Sequence, residues 1–95
     1  MTVVDADLYL VEHRLPRITV GELELLQAAL NEACSRLTAR GEPVSYLGST
    51  FLPESARLLS LFKAGTADSV RSVSASSQAP MTHLEAAIDL PAPDF

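Results

Sequence analysis

The run from Thr19 to Pro43 constrains this chain more than any other stretch, because both of its ends are written in the sequence. Thr19 followed by Glu22 makes a capping box, in which each side chain takes up a backbone N–H that a helix start leaves free. Ile18 and Leu23 are spaced as a hydrophobic staple across that cap. Leu23, Leu26, Leu30, Ala33 and Leu37 then recur at helical spacing and form one apolar stripe. Glu22 and Glu24 near the start, and Arg36 and Arg40 near the end, complement the helix dipole. Gly41 and Pro43 stop the run, so the spacing predicts a helix over 19–40. A stripe on one side of a helix must be buried against a second layer.

The flanking segments supply that layer as strands. Asp7 to Leu15 is rich in β-formers and stops at Pro16. Val44 to Leu52 and Ala56 to Ala64 read as a hairpin around the turn Pro53-Glu54-Ser55. Thr66 and Asp68 cap a second helix over roughly 66–78, with Val70 and Val73 as a narrow apolar face. Its serines (Ser69, Ser72, Ser74, Ser76, Ser77) compete for backbone hydrogen bonds, and Pro80 closes it. His83 to Leu90 alternates, with Leu84, Ala86, Ile88 and Leu90 inward. The order β-α-β-β-α-β predicts a ferredoxin-like α+β fold, a four-stranded antiparallel sheet with two helices on one face. At 95 residues the chain is expected to be a single domain, with an ordered core of about 7–90.

Charge and composition exclude several function classes. Seven Lys/Arg against twelve Asp/Glu leave no basic footprint for a nucleic acid. No apolar run approaches the ~20 residues of a membrane helix. Met1-Thr2-Val3-Val4-Asp5 has neither the basic nor the apolar region of a signal peptide. Cys34 is the one cysteine, which excludes an internal disulfide. A cytoplasmic setting is therefore expected.

Strand parity assigns the faces. With Tyr9 and Val11, Ser60 and Phe62, and Leu84 turned toward the helices, Leu8, Leu10, Leu59 and Leu61 gather on the open side. A greasy open face predicts a homodimer packed sheet to sheet with twofold symmetry. The competing expectation is that the C-terminal tail, ending in Phe95, folds across the same leucines.

The segment Tyr9-Leu10-Val11-Glu12-His13-Arg14-Leu15-Pro16 resembles the opening of a bacterial family of small ferredoxin-like proteins of unassigned function, which includes a nickel-binding protein. The resemblance continues through Asn31-Glu32-Ala33, Tyr46-Leu47-Gly48-Ser49, Leu61-Phe62-Lys63-Ala64, Ser69-Val70-Arg71 and Ala79-Pro80, covering about residues 8–88. It implies the same fold and, as a cofactor, nickel or another divalent metal. The family usually has Arg where His13 stands, and often Cys where Ser60 stands. The second helix often carries His or Asn near Ser74 and ends with Gly-x-Pro, where this chain has Gln78-Ala79-Pro80. These departures remove soft and imidazole donors that nickel favours, which leaves a divergent relative with another ligand as the expectation beside nickel.

Two constellations carry the chemistry. Glu12, His13, His83 and Glu85 are the donors that suit a borderline divalent metal, although parity sets His13 on the opposite face from Glu12. Their plain structural reading is a pair of surface contacts, Glu12 with Arg57 and His83 with Glu85. Tyr9, His13, Tyr46, Ser60 and Phe62 are placed to line a ligand pocket between sheet and helices, and as plain structure they are core. The expected function is a small dimeric binding protein for a divalent metal or a small organic ligand. The alternative is a cofactor-free enzyme (cyclase, isomerase or monooxygenase-like) using the same cavity. An enclosed pocket with His13 and Tyr46 pointing in favours the enzyme; a filled core with polar groups on the rim favours the binding module. Cys34 reads as an inert small core residue.

Overall fold

The computed structural model describes residues 7–78 and 81–94. The elements are β1 (Leu8–Arg14), α1 (Val20–Ala39), β2 (Val44–Leu52), β3 (Arg57–Ala64), α2 (Ala67–Ser76) and β4 (Met81–Ala87). The strands form one antiparallel sheet in the order β2-β3-β1-β4. The helices pack against each other and against the same face of this sheet, which is the ferredoxin-like α+β arrangement. No helix among the described residues is long and apolar enough to cross a membrane.

Local signals set the ends of α1. The Thr19 hydroxyl accepts from the Glu22 N–H, and the Thr19 N–H donates to Glu22 Oε1, both at 3.1 Å. At the other end the Gly41 N–H donates to the Thr38 carbonyl and the Glu42 N–H to the Leu37 carbonyl. This Schellman closure needs a left-handed residue, and Gly41 supplies it with φ +92°. Leu30, Ala33, Cys34 and Leu37 are buried, and they meet Val11, Val44, Phe62, Ala64, Val70 and Val73 in one core.

Strand β2 departs from simple alternation. Tyr46 stands opposite Phe62 and Gly48 opposite Leu61, so Leu47 is an extra residue with no partner. Gly48 carries the bulge at φ +138°. The extra residue turns both Tyr46 and Ser49 toward the helices, whereas strict alternation would put residues three apart on opposite faces.

Strand β4 is displaced from its expected place. It starts at Met81 and ends at Ala87, so Ile88 and Leu90, read above as inward, lie beyond it and are 60% and 84% exposed. The reason is the length of its neighbour. Ala87 pairs with Leu8, the first residue of β1, and no further pairing follows among the described residues. At the other end the register shifts between Glu12 and His13, which brings Met81 opposite His13. Helix α2 is likewise shorter than the 66–78 expected. The Ser76 and Ser77 hydroxyls donate back to the Ser72 and Ser74 carbonyls, and Gln78 turns left-handed at φ +62°.

The open face carries Leu8, Leu10, Leu59 and Leu61, all half-buried, as parity required. Leu47, 53% exposed on its bulge, adds to them. Leu10, Leu47, Thr50, Leu59 and Leu61 line a shallow depression of about 500 Å3. Residues 88–94 are exposed throughout, so that stretch of the tail is not buried on this face; Phe95 lies outside the described residues.

Candidate functional site

The register places the candidate ligand residues in rows across the helix-facing side of the sheet. Tyr46, Phe62 and Tyr9 stand side by side on β2, β3 and β1. Ser49, Ser60 and Val11 make the next row, and Phe51, Leu58 and His13 the one after. All five candidates (Tyr9, His13, Tyr46, Ser60 and Phe62) therefore share one face. They do not line one enclosed pocket. Phe62, Leu30, Val11, Val70 and Val73 are wholly buried and fill the space between sheet and helices. Tyr9 and Tyr46 remain half-buried at the edges, with the Tyr46 ring tilted on Phe62 at a centroid distance of 5.5 Å.

The open space lies at the rim, between α1 and the edge strand β2. A depression of about 500 Å3 is bordered by Asn31, Cys34, Ser35, Thr38 and Tyr46. A smaller one, about 160 Å3, lies further along the same edge against Leu23, Gln27, Ser49, Phe51 and Leu58. Between them runs a chain of hydroxyls. Tyr46 Oη is 2.5 Å from Ser49 Oγ, which is 2.6 Å from the buried Ser60 Oγ. The bulge makes this chain possible, because it sets Ser49 beside Tyr46 on the inner face. Thr38 closes the far end, donating to the Val44 carbonyl and accepting from the Val44 N–H at 3.1 and 3.2 Å. Burial pushes the Cys34 thiol up to about 11, so it borders the depression as a neutral group.

Of this hydroxyl chain the sequence names Tyr46 and Ser60 as candidates but not Ser49, for which Gly48 is the available signal, since a glycine inside a strand marks a bulge.

His13 is fully buried, and neither ring nitrogen has a hydrogen-bond partner among the described residues. Burial holds its pKa below the ordinary imidazole value, so the ring is neutral. Ser74 Oγ is a second buried hydroxyl without a partner. Neither depression beside α1 is lined by His13.

The metal candidates are divided by the sheet. Glu12, His83 and Glu85 lie on the open face and His13 lies inside. Glu12 stands opposite His83, but its carboxylate is already engaged. Arg57 Nε and Nη2 donate to Glu12 Oε1 at 3.0 and 2.7 Å, and Thr82 Oγ1 donates to Oε2 at 3.2 Å. The Arg57 hydrogen bonds hold the Glu12 carboxyl below its usual range. His83 Nε2 lies 3.3 Å from Glu85 Oε2. Both surface pairs anticipated from the sequence are thus present. Among the described residues no group of three or more His, Cys, Asp or Glu could hold a metal ion. The donor set does not fit nickel within one subunit.

No family model matches the chain, and no curated protein matches it. Among solved structures, the crystal structure of SCO4226 from Streptomyces coelicolor A3(2) matches with a TM-score of 0.70 and 19% sequence identity, covering 90% of this chain and 99% of that one. At that identity the likeness speaks for the fold alone.

Proposed function

We propose that the chain is a homodimeric binding module that holds a small organic molecule at the helix–sheet rim and catalyses no reaction of its own. One observation carries this reading: the large side chains between sheet and helices are wholly buried, and Tyr46 and Ser49 border depressions beside α1. An enzyme using the sheet–helix cavity would need His13 or Tyr46 to face an enclosed space. His13 is wholly buried and lines neither depression beside α1.

The dimer rests on the open leucine face. At ~25 cal/mol per Å2, covering about 400 Å2 of it contributes on the order of 10 kcal/mol, against roughly 4–15 kcal/mol for lost rigid-body freedom. Gain and cost are of the same size, so dimerisation is concentration-dependent. The helices lie on the opposite side of the sheet, so a second copy on the leucines leaves the α1–β2 cleft open. A reducing, intracellular setting suits the single free thiol of Cys34.

Native mass spectrometry of freshly purified protein tests both parts. The reading expects a dimer carrying a substoichiometric small-molecule adduct that is lost on collisional heating. A bare monomer at every concentration would overturn it, and a retained transition metal would replace the organic ligand with the metal reading.

A further inference from the structure

The hydroxyl chain has a direction, and burial sets it. Tyr46, Ser49 and Ser60 bring three hydroxyl protons to two hydrogen bonds, so one proton is left over. Ser60 is wholly buried, and Ser49 is the partner its hydroxyl meets. A spare proton there would point into packed apolar side chains, which is the costly arrangement. Ser60 therefore donates to Ser49, and the spare proton sits on Ser49 or Tyr46. Both border the cleft between α1 and β2. On the helix side the space beside Ser49 is about 160 Å3 and that beside Tyr46 about 500 Å3, and of these two only the second is large enough for a typical small ligand; the other depression Ser49 borders lies among the open-face leucines that the dimer covers. When Ser49 donates on to Tyr46, the phenol accepts one hydrogen bond and offers its own O–H outward. A donor that is itself accepting a bond is a stronger donor.

From this we infer that the cleft binds a small neutral molecule through a carbonyl oxygen, which accepts a hydrogen bond from Tyr46 Oη. This deepens the binding-module reading and rests on it. Neutrality follows from the lining. Asn31, Cys34, Ser35, Thr38, Ala39, Val44, Ser45 and Tyr46 include no cation to meet a carboxylate and no anion to meet an ammonium. The Ser35 and Thr38 hydroxyls are occupied, since Ser35 Oγ donates to the Asn31 carbonyl and Thr38 Oγ1 to the Val44 carbonyl, and the Asn31 amide and the Ser45 hydroxyl border the cleft as further donors beside Tyr46. Ala39, Val44 and the neutral Cys34 supply apolar wall, which suits a flat aromatic or aliphatic body on the carbonyl.

The test is a titration of 15N-labelled protein with acetophenone, alongside ethylbenzene, which has the same body without the acceptor, and benzoate, which adds a charge. Acetophenone is expected to give saturable shifts at the Asn31, Cys34, Tyr46 and Ser49 amides, with binding ~5- to 10-fold tighter than ethylbenzene, the value of about one net hydrogen bond. Tyr46→Phe keeps the ring on Phe62 and is expected to abolish that preference. Ser60→Ala, which never touches the ligand, is expected to weaken it about 2-fold by removing the bias on the chain. Equal binding of acetophenone and ethylbenzene, tighter binding of benzoate, or an unchanged preference in Tyr46→Phe would each overturn the inference. The dimer and any retained adduct seen by native mass spectrometry would survive that outcome, so the ligand class and the binding module fail separately.

Discussion

Replacing His13 by Leu should stabilise this protein, although His13 is among its most buried residues. The imidazole is 0% exposed and both nitrogens lack partners. A neutral imidazole carries one N–H donor and one lone-pair acceptor, and leaving each unmet in the core costs ~1–3 kcal/mol. Leu is of similar volume and brings no polar atom, so the change removes that cost and creates little cavity or strain. After allowance for imperfect fit, the expected gain is about 1–3 kcal/mol, or roughly 4–8 °C in Tm per kcal/mol for a domain of this size. The pH dependence gives a second readout. Burial holds the folded-state pKa of His13 below the unfolded value, so between those two values the unfolded chain binds more protons. The stability is fully present above the unfolded pKa and falls as pH drops toward the folded one, by up to ~1.4 kcal/mol per pH unit. Urea unfolding by circular dichroism at fixed protein concentration, from about pH 7.5 down to about pH 5, measures both effects. His13→Leu should unfold at higher urea and lose the part of the acid slope that lies below the imidazole value. A variant less stable than wild type by more than ~1 kcal/mol at neutral pH, or one with the slope intact, would show that the His13 nitrogens are satisfied in solution.

Three further outcomes follow from the same geometry. Gly48→Ala places a Cβ at φ +138°, so it should cost ~1–3 kcal/mol and shift the Tyr46 and Ser49 amide resonances, read by thermal melts and a 15N spectrum. Cys34, buried with its thiol raised to about 11, should react with maleimide at neutral pH far more slowly than in urea-unfolded chain, and equal rates would contradict its place in the core. Calorimetric titration with Ni2+ should give no more heat than a His13→Ala/His83→Ala double variant, because the sheet separates His13 from Glu12, His83 and Glu85 and Arg57 already engages Glu12.

Where a feature depended on neighbours in the chain, the sequence exposed it. The capping box at Thr19, the stop at Gly41 and the parity of β1 and β3 are all local. So was the separation of His13 from Glu12, because alternation on a regular strand leaves no other choice. Features that depend on strand pairing were hidden. Leu84, Ala86, Ile88 and Leu90 alternate without a break, but β4 ends where β1 ceases to offer a partner. The Leu47 bulge is a property of two strands together, and with it came the adjacency of Tyr46 and Ser49. The orphaned nitrogens of His13 were equally out of reach, because composition cannot say whether a buried polar group meets a partner.

Sedimentation equilibrium of wild type and Leu61→Lys is the most direct measurement of the account, because it asks whether the bare side of the sheet is covered in solution. Wild type should sediment at twice the chain mass in a concentration-dependent equilibrium, and Leu61→Lys, with an unchanged far-ultraviolet spectrum, should sediment as a single chain. A wild type that stays monomeric at millimolar concentration, or a Leu61→Lys variant as dimeric as its parent, would contradict it.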